Sequence, residues 1–363
     1  MAKLGIVVIG VGRWGTHLTR KFAAHPEAEL LAIVEANAEQ RQRCREKLQL
    51  PDSVKLLADW SEAAKLPGLE AIALATPAST HYPLIADALQ RGYHVLAEKP
   101  LTLDPAECVA LCQLAARQQR QLFIDHTYLF NPAVEQGRAV VASGQLGDLR
   151  YGYAARTHLS PVRQDVDALW DLAIHDIAIF NYWLGRSPVE VRAQGQAWLQ
   201  PQRTMTVAGE AQSPGLCDLV WLTLTYPDGW QATVHLCWLN PDKQRRLCLV
   251  GSQGSLIFDE LHAEPLRLQR GRFEQQGELF VPQGVATEAI AVPAGEPLQN
   301  VCDQFLASVA SGQPSPLSDG WVGAELVNVL VAASRSLEQD GAAIAIPPLA
   351  KTAETDPRLT RKP

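Results

Sequence analysis

Nowhere in its 363 residues does this sequence gather lysine and arginine into a long run, and the formal net charge is −7. A basic stripe is the electrostatic footprint of nucleic-acid binding, so no nucleic-acid partner is expected. The opening stretch, "MAKLGIVVIGVG", turns glycine-rich after one short apolar run. That run is too short for a membrane span and lacks a cleavage signature. The chain is read as cytoplasmic, without a membrane partner. Cysteine is sparse: seven residues are scattered through the chain, which suits reduced thiols better than a disulfide framework. Cys108 and Cys112 lie one helical turn apart with no second Cys/His pair near them, and His235, Cys237 and Cys248 sit in strand-like runs. A structural zinc site takes four such ligands, so no metal is expected. With 47% hydrophobic and 20% charged residues, the composition is that of an ordinary soluble protein of two domains.

The first 125 residues alternate two patterns. Short, almost wholly apolar runs at Leu4–Ile9, Glu29–Val34, Val54–Leu57, Ala71–Ala75, His94–Leu96 and Gln121–Ile124 read as strands. Helical stretches fill the gaps, among them Gly15–His25, Ala38–Leu48, His81–Arg91 and Pro105–Gln119. Apolar strands separated by helices call for a parallel sheet covered on both faces. After Phe130 the pattern changes. Helices are expected at Pro132–Ser143 and Ala168–Leu184, and then strands with period-two alternation begin. In "LVWLTLTYPDGWQATVHLCWL" the turn Pro227-Asp228-Gly229 joins two strands into a hairpin. Trp230, Ala232, Val234, Leu236 and Trp238 share one face of its second strand, and Gln231, Thr233, His235 and Cys237 the other. The fold class is α/β: an N-terminal Rossmann domain at 1–125, then an α+β domain at 126–350 on a largely antiparallel sheet. A polar tail at 351–363 is expected to be mobile.

Gly10, Gly12 and Gly15 stand in G-x-G-x-x-G spacing, with a strand before them and a helix after. Such glycines give a tight turn, close approach to a pyrophosphate and close helix–strand packing, and the helix terminus offers N–H groups to an anion. Arg13 and Trp14, inside the fingerprint, are placed with the cofactor-binding residues. Glu35 follows Gly15 by twenty residues, at the end of the second strand. An acidic side chain there accepts from a ribose diol and repels a 2′-phosphate, so NAD is expected rather than NADP. Thr76, Pro77 and His81 follow the fourth strand, at the edge where such sheets bind ligands; local turn and cap formation would also use these residue types. In "HVLAEKPL" the fifth strand runs into Glu98 and Lys99. A charged pair at that edge projects toward cofactor or substrate, or else forms a surface salt bridge that ends the strand.

Asp167, Asp171 and His175 recur every four residues. Neighbours four apart on an α-helix differ by only about 40° in direction, so the three share a face. A carboxylate one turn from a histidine holds the ring and raises its basicity. Such a pair suits proton removal from an alcohol while hydride leaves its carbon. A helix turning its polar residues to water would show the same spacing.

The glycine fingerprint, the Glu98-Lys99-Pro100 triplet and D-x-x-x-H at Asp171–His175 together resemble the Gfo/Idh/MocA oxidoreductase family. The likeness runs over nearly the whole chain, including "FNPAVEQGRAVVASGQLGDLRY". It implies an open-faced sheet in the second domain, through which the chain would form a homodimer or homotetramer. It implies oxidation of a secondary alcohol of a sugar or polyol, with Lys99 binding and polarising the hydroxyl, His175 as general acid/base and Asp171 orienting His175 or sharing its proton. "RTHLSPVRQDVDALWDLAIHD" is similar to a subgroup tied to nucleotide sugars, some of whose members oxidise the 3-hydroxyl of a UDP-N-acetylhexosamine. On that likeness His126, Tyr128, Arg156, Arg163 and Asp167 are assigned to substrate. Asp167 and Ile174 stand where that subgroup suggests asparagine and proline. A free cyclitol or aldose dehydrogenase and a non-catalytic NAD(H) sensor remain the competing readings.

Overall fold

The computed structural model describes residues 3–159, 161–212 and 215–351, so the tail expectation falls, from residue 352 on, outside the described residues. The chain forms two units. Among the described residues the first comprises 3–127, 296–327 and 349–351, and the second those within 128–295 and 328–348.

In the first unit the expected alternation holds: β1 (Leu4–Ile9), α1 (Arg13–Ala24), β2 (Ala28–Val34), α2 (Ala38–Leu48), β3 (Lys55–Leu57), α3 (Trp60–Ala63), β4 (Ala71–Leu74), α4 (His81–Gln90), β5 (His94–Glu98), α5 (Pro105–Gln118) and β6 (Leu122–Asp125). The strands lie in the order β3-β2-β1-β4-β5-β6, all parallel. The order reverses beside β1, which is where open α/β sheets take ligands at their carboxyl edge. Helix starts carry their caps: Asn37 accepts from Gln40 N–H on α2 at 3.1 Å, and Asp104 from Ala106 N–H on α5 at 2.7 Å. Residues with oxygen side chains at these positions satisfy amides that the helix itself leaves unpaired.

The second unit opens with α6 (Pro132–Ala142) and β7 (Leu149–Leu159). A π-helical turn, Leu169–Ala173, then leads directly into α7 (Ile174–Leu184). The expected regular helix from Ala168 is thus wider in its first turn, a feature that recurs at functional sites. Strands β8 (Glu190–Gln196), β9 (Thr206–Val207), β10 (Glu210–Ala211), β11 (Leu219–Thr225), β12 (Gln231–Cys237), β13 (Leu239–Gly251), β14 (Gly254–Asp259), β15 (Leu266–Gln276) and β16 (Leu279–Ala289) follow; after them along the chain come α8 (Pro297–Ser311), which belongs to the first unit, α9 (Gly320–Glu338), which starts in it, and β17 (Ile344–Ala345) of the second. Nine of these strands form one sheet, β16-β15-β14-β13-β7-β12-β11-β8-β17. It is antiparallel except for β7 beside β12. The Pro227-Asp228-Gly229 hairpin forms as expected, pairing Thr225 with Gln231. Trp230, Ala232, Val234, Leu236 and Trp238 are all buried. The opposite face carries exposed aromatics. Trp221 is 53% exposed and stacks on His235 at 4.0 Å, and Tyr151 stacks on Tyr153 at 6.3 Å.

The sequence reading places all of 126–350 in the second domain. The structure returns residues 296–327 to the first. Phe305 of α8 packs edge-on against Phe22 of α1 and Phe123 of β6, at 6.5 and 5.9 Å, while His25 meets Asp303 at 2.9 Å. No described helix is long and apolar enough to cross a membrane, and no described group of His, Cys, Asp or Glu could hold a metal ion.

Candidate functional site

The three fingerprint glycines divide the work. Gly10 has φ +82°, and a Cβ there would stand 2.7 Å from Ala75 O. At Gly15 a Cβ would stand 1.8 Å from Gly10 O, so α1 presses on the turn. Gly12 differs: the nearest atom to a Cβ is the Gln40 Nε2 at 3.8 Å, and α1 begins there without a side-chain cap. Protein packing does not require glycine at 12. Bare backbone beside the uncapped amides of α1 suits a pyrophosphate, so the residues fit the dinucleotide their spacing implies.

Glu35 accepts from Val11 N–H at 3.2 Å and from Asn37 N–H at 3.1 Å. It ties the fingerprint turn to the end of β2. Arg41, which the sequence reading did not weigh, hydrogen-bonds the Glu35 and Ala36 carbonyls; its place six residues after Glu35 was the available signal. Arg13 and Trp14 are exposed. Thr76 and Thr80 share a hydroxyl hydrogen bond of 2.7 Å, and Pro77 caps the short turn between them, so both residues form local turn structure.

His81 is buried, at 1% exposure. Its Nε2 lies 2.9 Å from Thr76 O; its Nδ1 lies 3.0 Å from Pro100 O and 3.2 Å from Leu101 O. The ring braces the end of β4 against the turn after Lys99. His81, expected among the cofactor-binding residues, thus hydrogen-bonds the chain through both ring nitrogens. Glu98 lies opposite Asp125 across β5 and β6, and both are buried. His126 is buried too, with Nδ1 2.8 Å from Ser318 Oγ, and burial followed by the Lys99 charge pushes its pKa down to about 3.

In the second unit Asp171 lies in the π-helical turn and His175 just after it, in the first turn of α7. From Val166 to Phe180 every residue is buried except Asp171 and His175. Asp171 accepts from Trp238 Nε1 at 3.3 Å and from Arg163 Nη1 at 3.4 Å. Arg163 also forks onto Asp165 at 3.0 and 2.6 Å. The Tyr128 ring lies 4.9 Å from His175 and under the Arg156 guanidinium at 4.4 Å, while its hydroxyl donates to Glu260 at 2.6 Å.

Two residues assigned to substrate are taken up by the chain itself. Arg156 is 2% exposed and forks onto Asp176 at 2.9 and 2.8 Å. A guanidinium so engaged is not offered to a diphosphate. Asp167 caps the wide turn through Trp170 N–H at 3.0 Å and lines a cavity of about 360 Å³ with Cys217 and Glu338. Burial raises its carboxyl to about 7. Asp176 and Glu260 went unnoticed in the sequence, and Trp238 was read only as part of an apolar strand face; only Asp176, beside His175, stood near a motif.

Residues 4–126 match the model of the oxidoreductase family with an NAD-binding Rossmann fold, and residues 134–257 that of the GFO/IDH/MocA C-terminal domain. The chain is 29% identical to UDP-N-acetylglucosamine 3-dehydrogenase of Acidithiobacillus ferrooxidans over 85% of its own length and 89% of the relative's. It is 28% identical to dTDP-3,4-didehydro-2,6-dideoxy-alpha-D-glucose 3-reductase of Streptomyces violaceoruber, over 69% and 72%. The solved structure of the Acidithiobacillus enzyme aligns with a TM-score of 0.76 and 24% identity, over 94% of this chain and 99% of that one.

Proposed function

The chain belongs to the GFO/IDH/MocA oxidoreductase family, and on that premise we propose that it oxidises a secondary hydroxyl of a nucleotide-linked sugar with NAD. The carrying observation is the isolation of Asp171 and His175 as the two solvent-reaching residues of an otherwise buried segment. NAD, when bound, supplies the hydride acceptor. Gly10, Gly12, Arg13, Trp14, Gly15 and Glu35 would hold it. Lys99 places its charge on the reacting hydroxyl oxygen, which favours the alkoxide. His175 takes the hydroxyl proton as general base. Asp171, itself held by Trp238 and Arg163, orients the ring and stabilises the imidazolium that forms.

The sugar-nucleotide assignment draws on the substrates named for the two relatives. Arg156 and Arg163 lend it no support, since carboxylates already take both. That favours a second reading, a free cyclitol or aldose as substrate. Titration calorimetry separates them. NADH should bind about tenfold or more tighter than NADPH, because Glu35 repels a 2′-phosphate. UDP-N-acetylglucosamine should then bind the NADH-loaded protein while free N-acetylglucosamine does not. Absence of nucleotide-sugar binding moves the assignment to free sugars, with myo-inositol as the next titrant.

The exposed aromatic face of the nine-stranded sheet supports self-association, since large exposed apolar patches mark interaction surfaces. Sedimentation should give a dimer or tetramer of the 39.6 kDa chain. A monomer at micromolar concentration removes that part of the proposal.

A further inference from the structure

We propose that Glu98 and Asp125 share a single proton and act together as a positioning pair for Lys99. The inference rests on the role given to Lys99 above and extends it to residues that touch neither substrate nor reacting atoms.

The register of β5 against β6 sets Glu98 directly opposite Asp125 at the carboxyl edge of the parallel sheet. Glu98 is 8% exposed and Asp125 1%. Each carboxyl group has one side already bonded. Glu98 accepts from the Lys99 backbone N–H. Asp125 accepts from the Thr127 hydroxyl at 2.6 Å and from its backbone N–H. Each also has one buried oxygen with no donor among the described residues: Oε1 of Glu98 and Oδ2 of Asp125. Leaving two such acceptors unmet in the interior is costly, and two adjacent buried carboxylates resist ionising together.

One proton held between the groups meets both demands, since the two residues stand side by side in the β5–β6 register. Burial, then the Asp125 charge, pushes Glu98 well above the usual carboxylate range; burial pushes Asp125 up as well. The proton belongs to the pair rather than to either residue. Other charged or titratable groups facing the pair are Lys99, at the end of β5, and Cys302 on α8, whose thiol is pushed up by burial and then by Asp125.

The result is a bridge from the Lys99 amide through Glu98 and Asp125 to Thr127. It pins the backbone that carries Lys99 on one side. His81 pins Pro100 and Leu101 on the other. The bridge also leaves one negative charge beside Lys99 instead of two.

Infrared spectra of the full chain carrying Asp167→Asn, without cofactor and at neutral pH, test the proposal directly; the substitution removes a second carboxyl that is part-protonated there, since burial raises Asp167 to about 7. A protonated carboxyl stretch should be present and should vanish in both Glu98→Gln and Asp125→Asn. An absent band overturns the proposal. So does a band that persists in Asp125→Asn, which would mean that burial alone protonates Glu98. Turnover provides the second measurement. An asparagine at 125 brings its own N–H to Glu98, whereas Asp125→Ala removes the bridge. The alanine variant should lose about a hundredfold in kcat with the KM for NAD retained, and the asparagine variant about tenfold less than that. Equal losses overturn the positioning role. The infrared band does not depend on substrate, so a protein that shows it yet ignores every sugar retires the functional reading and leaves the pair standing.

Discussion

Replacing His175 by asparagine should lower kcat by about two to four orders of magnitude while NADH affinity stays at the parent value. Asparagine keeps a polar group of similar reach beside the Tyr128 ring, which lies 4.9 Å from the histidine. It cannot take a proton at neutral pH. The loss should therefore fall on kcat, with cofactor binding in the first unit untouched. Lys99→Met should behave alike, since it removes the charge that favours the alkoxide and keeps the length of the chain. Stopped-flow absorbance of NADH formation, beside an NADH titration of each variant, gives both numbers. Turnover within a few-fold of the parent in either variant removes that residue from the mechanism. Lost NADH affinity in His175→Asn would instead mean that the residue serves the cofactor.

The second large effect is on stability. Arg156→Met should destabilise the protein by about 3–5 kcal/mol. The substitution leaves Asp176, 1% exposed, without the guanidinium that meets it at 2.9 and 2.8 Å. It also takes away the cation over the Tyr128 ring. Most of the penalty comes from the stranded carboxylate, because a buried pair contributes little net stability while a broken one costs much. Adding Asp176→Leu to Arg156→Met should therefore restore most of the loss. Urea unfolding of the parent, the single and the double variant measures it. A single variant within about 1 kcal/mol of the parent would mean that water reaches Asp176.

Local patterns carried well from sequence to structure. The six parallel strands, the fingerprint turn and the Pro227-Asp228-Gly229 hairpin each depend on residues close in the chain, where spacing alone states the geometry. Asp171 and His175 both reach solvent although a π turn that no periodicity announced lies at their start. What spacing does not carry is partnership at long range. Arg156 looked like an anion-binding residue because its partner, Asp176, lies twenty residues on and across the packing of β7 against α7. His81 looked like a cofactor contact because helix position says nothing of carbonyls at Pro100 and Leu101. Asp125 gave one usable sign. It ends β6 as Glu98 ends β5, and parallel strands put matching ends side by side.

The return of residues 296–327 to the first unit has a consequence for synthesis. Phe22 and Phe123 emerge from the ribosome early, yet the Phe305 ring that covers them comes nearly two hundred residues after Phe123. Ser318, which donates to Ile124 O at 2.6 Å and meets His126 at 2.8 Å, arrives later still. The half of the molecule that is made first is thus among the last to be finished, and a fragment cut at its apparent boundary would leave the ribosome with that side of its sheet bare.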